Sequence, residues 1–195
     1  MNTVPRPDLP SGGTIVVLNG VSSSGKSSLA RELQASLSRA YLHVQLDTFR
    51  EMEPPGYFSL VPPDLRVLRV AALCRAMNAT AAEYARHGQN VLLDHVLPPE
   101  GWMYLAEDLA GFSVLLVGVH CSVEVLDARE RSRGDRPLGL AASQAGQIHT
   151  DRVYDFEVDT SHQDSLECAA HVRGWLESGP VANAFRNAER ESAAV

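Results

Sequence analysis

Lysine is all but missing from this 195-residue chain: of 17 basic residues 16 are arginine, and the one lysine is Lys26. Long apolar runs are missing too. The longest, Val114–Val119, is the size of a strand, far short of the roughly 20 residues that cross a bilayer as a helix. Cysteines number three (Cys74, Cys121 and Cys168), too far apart for a zinc spacing or a secreted disulfide framework, so reduced thiols are expected. The opening residues, Met1-Asn-Thr-Val-Pro-Arg-Pro, lack the apolar centre of a signal peptide, and a cytoplasmic protein is expected. A basic excess is absent as well. The net charge of −7 carries no footprint of a nucleic-acid binder and specifies no oligomeric state. Internal repeats and low-complexity tracts are not found. With 45% hydrophobic and 21% charged residues, the chain has an ordinary globular composition. Its length suits one domain that buries roughly 70% of its unfolded surface.

Apolar patterning divides the chain into a flexible lead (1–13), one domain (14–178) and a tail or short surface helix (179–195). Strands are predicted at Thr14–Leu18, His43–Leu46, Asn90–Leu93, Phe112–His120 and Tyr154–Val158. Helices are predicted between them. Lys26–Leu37 sets Leu29, Leu33 and Leu37 on one stripe, and Asp64–His87 runs from an Asp64 N-cap to Gly88. Val123–Arg133, Gly139–His149 and Asp164–Leu176 follow. Short apolar strands alternating with helices imply a three-layer α/β/α domain around a mostly parallel five-stranded sheet.

Directly after the first strand stands Gly20-Val21-Ser22-Ser23-Ser24-Gly25-Lys26-Ser27, followed by Ser28 and a helix. Strand, glycine-rich loop and helix N-terminus together form a phosphate cradle. The glycines let backbone N–H groups turn inward, and the helix adds its unpaired amides and positive end. In such a P-loop the whole Gly20–Ser28 stretch faces nucleotide phosphates. Lys26 reaches the outer phosphates of ATP and Ser27 ligates Mg²⁺. The solitary lysine therefore falls where a compact ammonium is needed.

In open α/β sheets ligands sit at the carboxyl ends of strands, which directs attention to Asp47 and Asp94. Asp47 is placed to accept a proton from an acceptor hydroxyl; the alternative is a turn cap paired with Arg50. Asp94 ends the apolar run Val91-Leu-Leu-Asp94, an arrangement that holds Mg²⁺ in nucleotide-binding proteins. His95, next to it, reads as an acceptor contact or a hydrogen-bonded strand-end histidine. Four arginines crowd into eight residues, Arg129, Arg131, Arg133 and Arg136. That density suits a lid whose guanidinium groups, Arg133 and Arg136 in particular, meet developing phosphoryl charge. The alternative is a salt-bridged surface helix using Glu130 and Asp135.

Several stretches together resemble the chloramphenicol phosphotransferase family: Val17 to Ser27, Leu46-Asp47, Val117-Gly-Val-His-Cys through Arg129 to Arg136, Ala142-Ser-Gln-Ala, Ile148-His149, and Tyr154-Asp-Phe-Glu-Val-Asp-Thr-Ser-His162 continuing to Ser165-Leu-Glu-Cys-Ala. The resemblance implies a P-loop small-molecule kinase using ATP and Mg²⁺, with Asp47 as base and Arg133 and Arg136 in the lid. A small-molecule hydroxyl is the expected acceptor, chloramphenicol first, with neither nucleic acid nor membrane as partner. The segment Glu51–Pro63 looks shorter and richer in proline than the family's loop, and His95 stands where an acid is expected. Two other readings stay open. One is a metabolic kinase for an anionic acceptor clamped by Arg50 or Arg66. The other is a nucleotide-binding regulator that transfers nothing.

Overall fold

The computed structural model describes residues 12–133 and 139–186. The chain runs β1 (Thr14–Asn19), α1 (Lys26–Ser36), β2 (Tyr41–Gln45), α2 (Leu46–Glu51) and α3 (Tyr57–Leu60). After a 3₁₀ turn at Pro63–Leu65 come α4 (Arg66–Arg86), β3 (Asn90–His95), α5 (Pro99–Asp108) and β4 (Ser113–His120). Then follow α6 (Val123–Arg133), α7 (Leu140–Ile148), β5 (Phe156–Asp159) and α8 (Ser165–Glu177).

The five strands form one parallel sheet in the order β2-β3-β1-β4-β5. Alternate residues supply two cores, as the pleat requires. Ile15, Val17, Val91, Leu93, Val114 and Leu116 face α4 and α5, where Met77, Ala81, Trp102 and Leu105 cover them. Val16, Leu18, Leu92, Leu115, Val117 and Val119 face α1 and α8, against Leu29, Leu33, Cys168 and Val172. Because both faces are covered, the central strands read as unbroken apolar runs rather than alternating ones. Among the described residues no helix is long and apolar enough to cross a membrane.

The expected elements are present with shifted ends. The second strand closes at Gln45, and Leu46 already opens α2. Asp47 therefore lies in the first turn of a helix rather than on the strand, a position where a carboxylate meets the positive helix end. The long helix begins at Arg66, after the 3₁₀ turn that contains Asp64, so Asp64 is not its cap. It stops before Gly88, whose φ of +74° is left-handed. Helix α5 was not anticipated, although Pro99 at its start and the 102–105–109 spacing of Trp102, Leu105 and Leu109 are helical signals. Beyond α8, Ala184 and Phe185 pack into the α4–α5 core. Asp155 holds that segment: its Oδ1 accepts the N–H groups of Asn183 and Ala184 at 2.9 Å, and its Oδ2 accepts Leu116 N–H at 2.9 Å.

Candidate nucleotide and acceptor site

The Gly20–Ser27 loop leaves the end of β1, the strand that lies between β3 and β4. The chain turns sharply there. A Cβ on Gly20 would run into the Val119 carbonyl and come within 2.7 Å of Ser24 Oγ. Gly25, with φ +92°, sits at the N-cap of α1. Ser23 adopts φ +62°, a left-handed conformation unusual for a residue with a side chain. The hydroxyls of Ser23 and Ser24 are buried without a hydrogen-bond partner among the described residues. Buried polar atoms are ordinarily paired, so this pair of orphans fits a loop shaped for an oxygen-rich ligand such as a phosphate.

Lys26 is only 7% exposed. Its Nζ donates to the Val21 carbonyl at 2.8 Å and lies 3.7 Å from Asp94 Oδ1. Ser27 Oγ donates to Asp94 Oδ2 at 2.6 Å, and His43 Nε2 approaches the same oxygen to 3.7 Å. Burial by itself pushes the Asp94 carboxyl up. The Lys26 ammonium, the nearby His43 ring and the hydrogen bond from Ser27 outweigh that and hold it below the ordinary range. Asp94 is thus a carboxylate, with Ser27 directly beside it. A hydroxyl and a carboxylate sharing one hydrogen bond are hard oxygen donors of the kind Mg²⁺ takes.

A cavity of about 450 Å³ opens beside this cluster, lined by Ser22, Ser23, Lys26, Ser27 and Asp94 and, from α2, by Asp47. Leu46, Val70, Cys74, Val96 and Ile148 give it an apolar side, while Gln144, Gln147 and Arg50 give it a polar one. A second cavity of about 400 Å³ lies beyond Gly25 and Ser28, lined by Arg129, Thr160 and Asp164 among others. Ser28 and the loop separate the two.

Residues that sequence reasoning left without a role complete the frame. Asn19 is fully buried at the end of β1. Its Oδ1 accepts Leu97 N–H at 3.0 Å, and its Nδ2 donates to the Tyr154 hydroxyl at 2.7 Å and the Ile148 carbonyl at 3.4 Å. Tyr154 in turn meets His149 Nδ1 at 2.8 Å, so one asparagine joins β1, the β3–α5 connection and the end of α7. The Tyr154 ring packs so closely on β4 that a Cβ at Gly118 would come within 2.8 Å of it. From α7, Gln144 Oε1 accepts the Ser22 N–H at 2.8 Å. A polar residue ending a buried strand is a readable signal for Asn19; Gln144 stands out only through the family resemblance of Ala142-Ser-Gln-Ala.

His95 proves to be the hydrogen-bonded alternative. Its Nε2 meets Asn78 Oδ1 at 2.7 Å, and Asn78 Nδ2 donates to Asp108 Oδ2 at 3.0 Å. Burial pushes its pKa down to about 4, so the ring is neutral at pH 7. In the arginine-rich segment Glu130 is buried rather than solvated. It accepts the N–H groups of Gly139 and Ala141 at 2.8 and 2.7 Å and so caps the start of α7. Arg133 closes α6, but its side chain, like the whole of Arg136 and Asp135, lies outside the described residues.

Residues 13–177 match the family model described as chloramphenicol phosphotransferase-like protein. The chain belongs to that family. A member-like relative from Mycobacterium tuberculosis, named "Putative O-phosphotransferase Rv2636", is 30% identical over 198 residues, covering 89% of this chain and 86% of its own. Among solved structures, Mycobacterium tuberculosis APS kinase in complex with AMPPNP and APS aligns with a TM-score of 0.65 at 21% identity, over 86% of this chain and 99% of that one. Shikimate kinase from Acinetobacter baumannii in complex with shikimate aligns with a TM-score of 0.54 at 15% identity, over 86% and 95%. At such identities the likeness is one of fold. This phosphotransferase family thus carries the P-loop kinase fold expected from the sequence.

Proposed function

We propose that this protein is an ATP-dependent O-phosphotransferase acting in the cytoplasm on a small-molecule hydroxyl, with chloramphenicol as the leading acceptor and a 3-O-phospho ester as product. One observation carries this reading: the lone lysine, Ser27, Asp94 and Asp47 all line a single cavity that also has apolar lining. Loop amides and orphaned hydroxyls between Gly20 and Ser28 take the phosphates, and Lys26 draws the transferred group's charge. Ser27 and Asp94 would hold Mg²⁺, which would supply positive charge against the phosphates. Asp47 accepts the acceptor's hydroxyl proton as the new P–O bond forms. Arg133 and Arg136 add positive charge from the lid. The second cavity, beyond the loop, takes the nucleoside end of the nucleotide.

The apolar lining favours a partly apolar acceptor over a highly charged one. Arg50 supports the rival reading, an anionic metabolite, because it lines the cavity; yet its guanidinium lies 4.2 Å over the Phe58 ring and so already has a partner. The deciding experiment measures ADP release from Mg²⁺–ATP with and without chloramphenicol, followed by the mass of the product. Drug-dependent ADP release with one phosphate added to the drug is the expected result. Nucleotide binding without stimulation removes chloramphenicol as acceptor and turns the search to hydroxylated anions.

A further inference from the structure

A loop that points its N–H groups at a phosphate must point carbonyls the other way, and buried carbonyls need donors of their own. Here those donors come from across the molecule. Thr160, just past β5, donates its hydroxyl to the Ser24 carbonyl at 2.7 Å, while its own N–H is spent on the His120 carbonyl at 2.9 Å. Arg129, on α6, donates from one nitrogen to the Ser23 carbonyl at 3.3 Å and to Thr160 Oγ1 at 3.0 Å. Its other terminal nitrogen holds the Thr160 carbonyl at 2.8 Å. The clasp closes around Ser23, the loop residue in left-handed conformation, and a Cβ on Gly25 would sit 3.6 Å from both Thr160 Cγ2 and Arg129 Nη1.

We propose that Thr160 is a positioning residue for nucleotide phosphates: through the Ser24 carbonyl, and with Arg129 as partner, its hydroxyl holds the Gly20–Ser27 loop with amides inward before nucleotide arrives. This rests on the reading of that loop as the phosphate site. Thr160 is only 4% exposed; it lines the second cavity, but its hydroxyl is engaged by the Ser24 carbonyl and by Arg129, so that hydroxyl acts through the loop and not on the nucleotide.

Valine at this position keeps the shape and removes the hydroxyl, leaving the Ser24 carbonyl without its donor. Mg²⁺–ADP is titrated by calorimetry into wild type, Thr160→Val, Thr160→Ser and the double variant Ser23→Gly/Thr160→Val, with thermal midpoints recorded alongside. Thr160→Val is expected to bind about tenfold more weakly and Thr160→Ser within about twofold of wild type. The double variant is expected to recover part of the loss, since glycine accepts the left-handed conformation unaided. If Thr160→Val does not fold, Thr160→Cys replaces it, the thiol being a poor donor, and must weaken binding relative to Thr160→Ser. The proposal is overturned if the hydroxyl-free variant binds ADP as tightly as wild type, or if Thr160→Ser weakens it equally. Wild type that binds no Mg²⁺–ADP instead overturns the phosphate-site reading, and this proposal with it.

Discussion

The two walls of the main cavity are built in opposite ways. On the phosphate side Val21, Ser22, Ser24 and Lys26 are buried, and side chains from just past β5, from α6 and from α7 reach in to hold the loop's backbone. On the acceptor side the cavity is lined by α2, and neither α2 nor the α3 and 3₁₀ turn that follow it contain a buried residue. Met52 and Leu60 are 72% and 80% exposed there. The arginines of that flap serve the flap: Arg66 donates to the Val61 carbonyl at 3.1 Å, Arg69 to Glu53 at 2.8 Å, and Arg50 and Arg66 both lie over Phe58. The contrast separates two tasks. Holding phosphate demands a preorganised, desolvated loop, because electrostatic stabilisation is strongest where nothing must rearrange. Choosing an acceptor is left to a thinly packed segment that can change without endangering the core.

On the phosphate wall the largest effect is expected at Lys26. Lys26→Met should lower turnover by roughly 10²- to 10³-fold, the scale of losing one preorganised charge donor. Its circular dichroism spectrum should stay unchanged; a collapsed fold would make the lysine structural.

Acid should act next, and on the buried side alone. His95 titrates near 4 in the folded protein against an ordinary 6.5, so between those values the unfolded chain takes up the proton and the folded one resists it. Stability is then complete above about pH 6.5 and falls as pH drops toward 4, by about 3 kcal/mol for this one group. Urea midpoints measured across that range check the slope. His95→Gln should flatten it, and an unchanged slope would show that other groups govern acid unfolding.

A smaller change is expected at Phe58, whose ring lies under Arg50 of the acceptor wall. Phe58→Ala removes the ring under Arg50 and Arg66, interactions on the order of 0.5–1 kcal/mol each at exposed sites. The acceptor KM should rise about two- to fivefold while affinity for Mg²⁺–ADP stays constant. Equal changes in both would mean the two walls are not independent. Smallest of all is Leu60→Ser, which should move stability by less than about 0.5 kcal/mol. A larger drop in the thermal midpoint would mean that the flap is packed against something in solution.

Much of the phosphate side was legible in sequence because its information is local. Eight consecutive residues after a strand specify the loop, and the one lysine falls inside it. The parallel sheet was equally legible, since burial on both faces leaves an apolar signature that periodicity reads directly. What escaped is non-local. Gln144 reaches Ser22 across 122 positions and Thr160 reaches Ser24 across 136, and neither has a neighbour in sequence that betrays the contact. The stretch Tyr154–Thr160 stood out only by resemblance. In three dimensions Tyr154 meets Asn19, Asp155 ties down the residues after α8, and Thr160 braces the phosphate loop. The alternative that put Glu130 in a surface ion pair does not hold for Glu130 for the same reason: its partners are backbone amides at the start of the next helix.

The central claim is that one wall binds nucleotide while Asp47, from the other, takes the proton. It is tested most directly by measuring turnover and Mg²⁺–nucleotide affinity on the same preparation of Asp47→Asn. The account predicts turnover reduced by about 10²- to 10⁴-fold with nucleotide affinity unchanged. Retained turnover, or affinity lost in step with it, would contradict it.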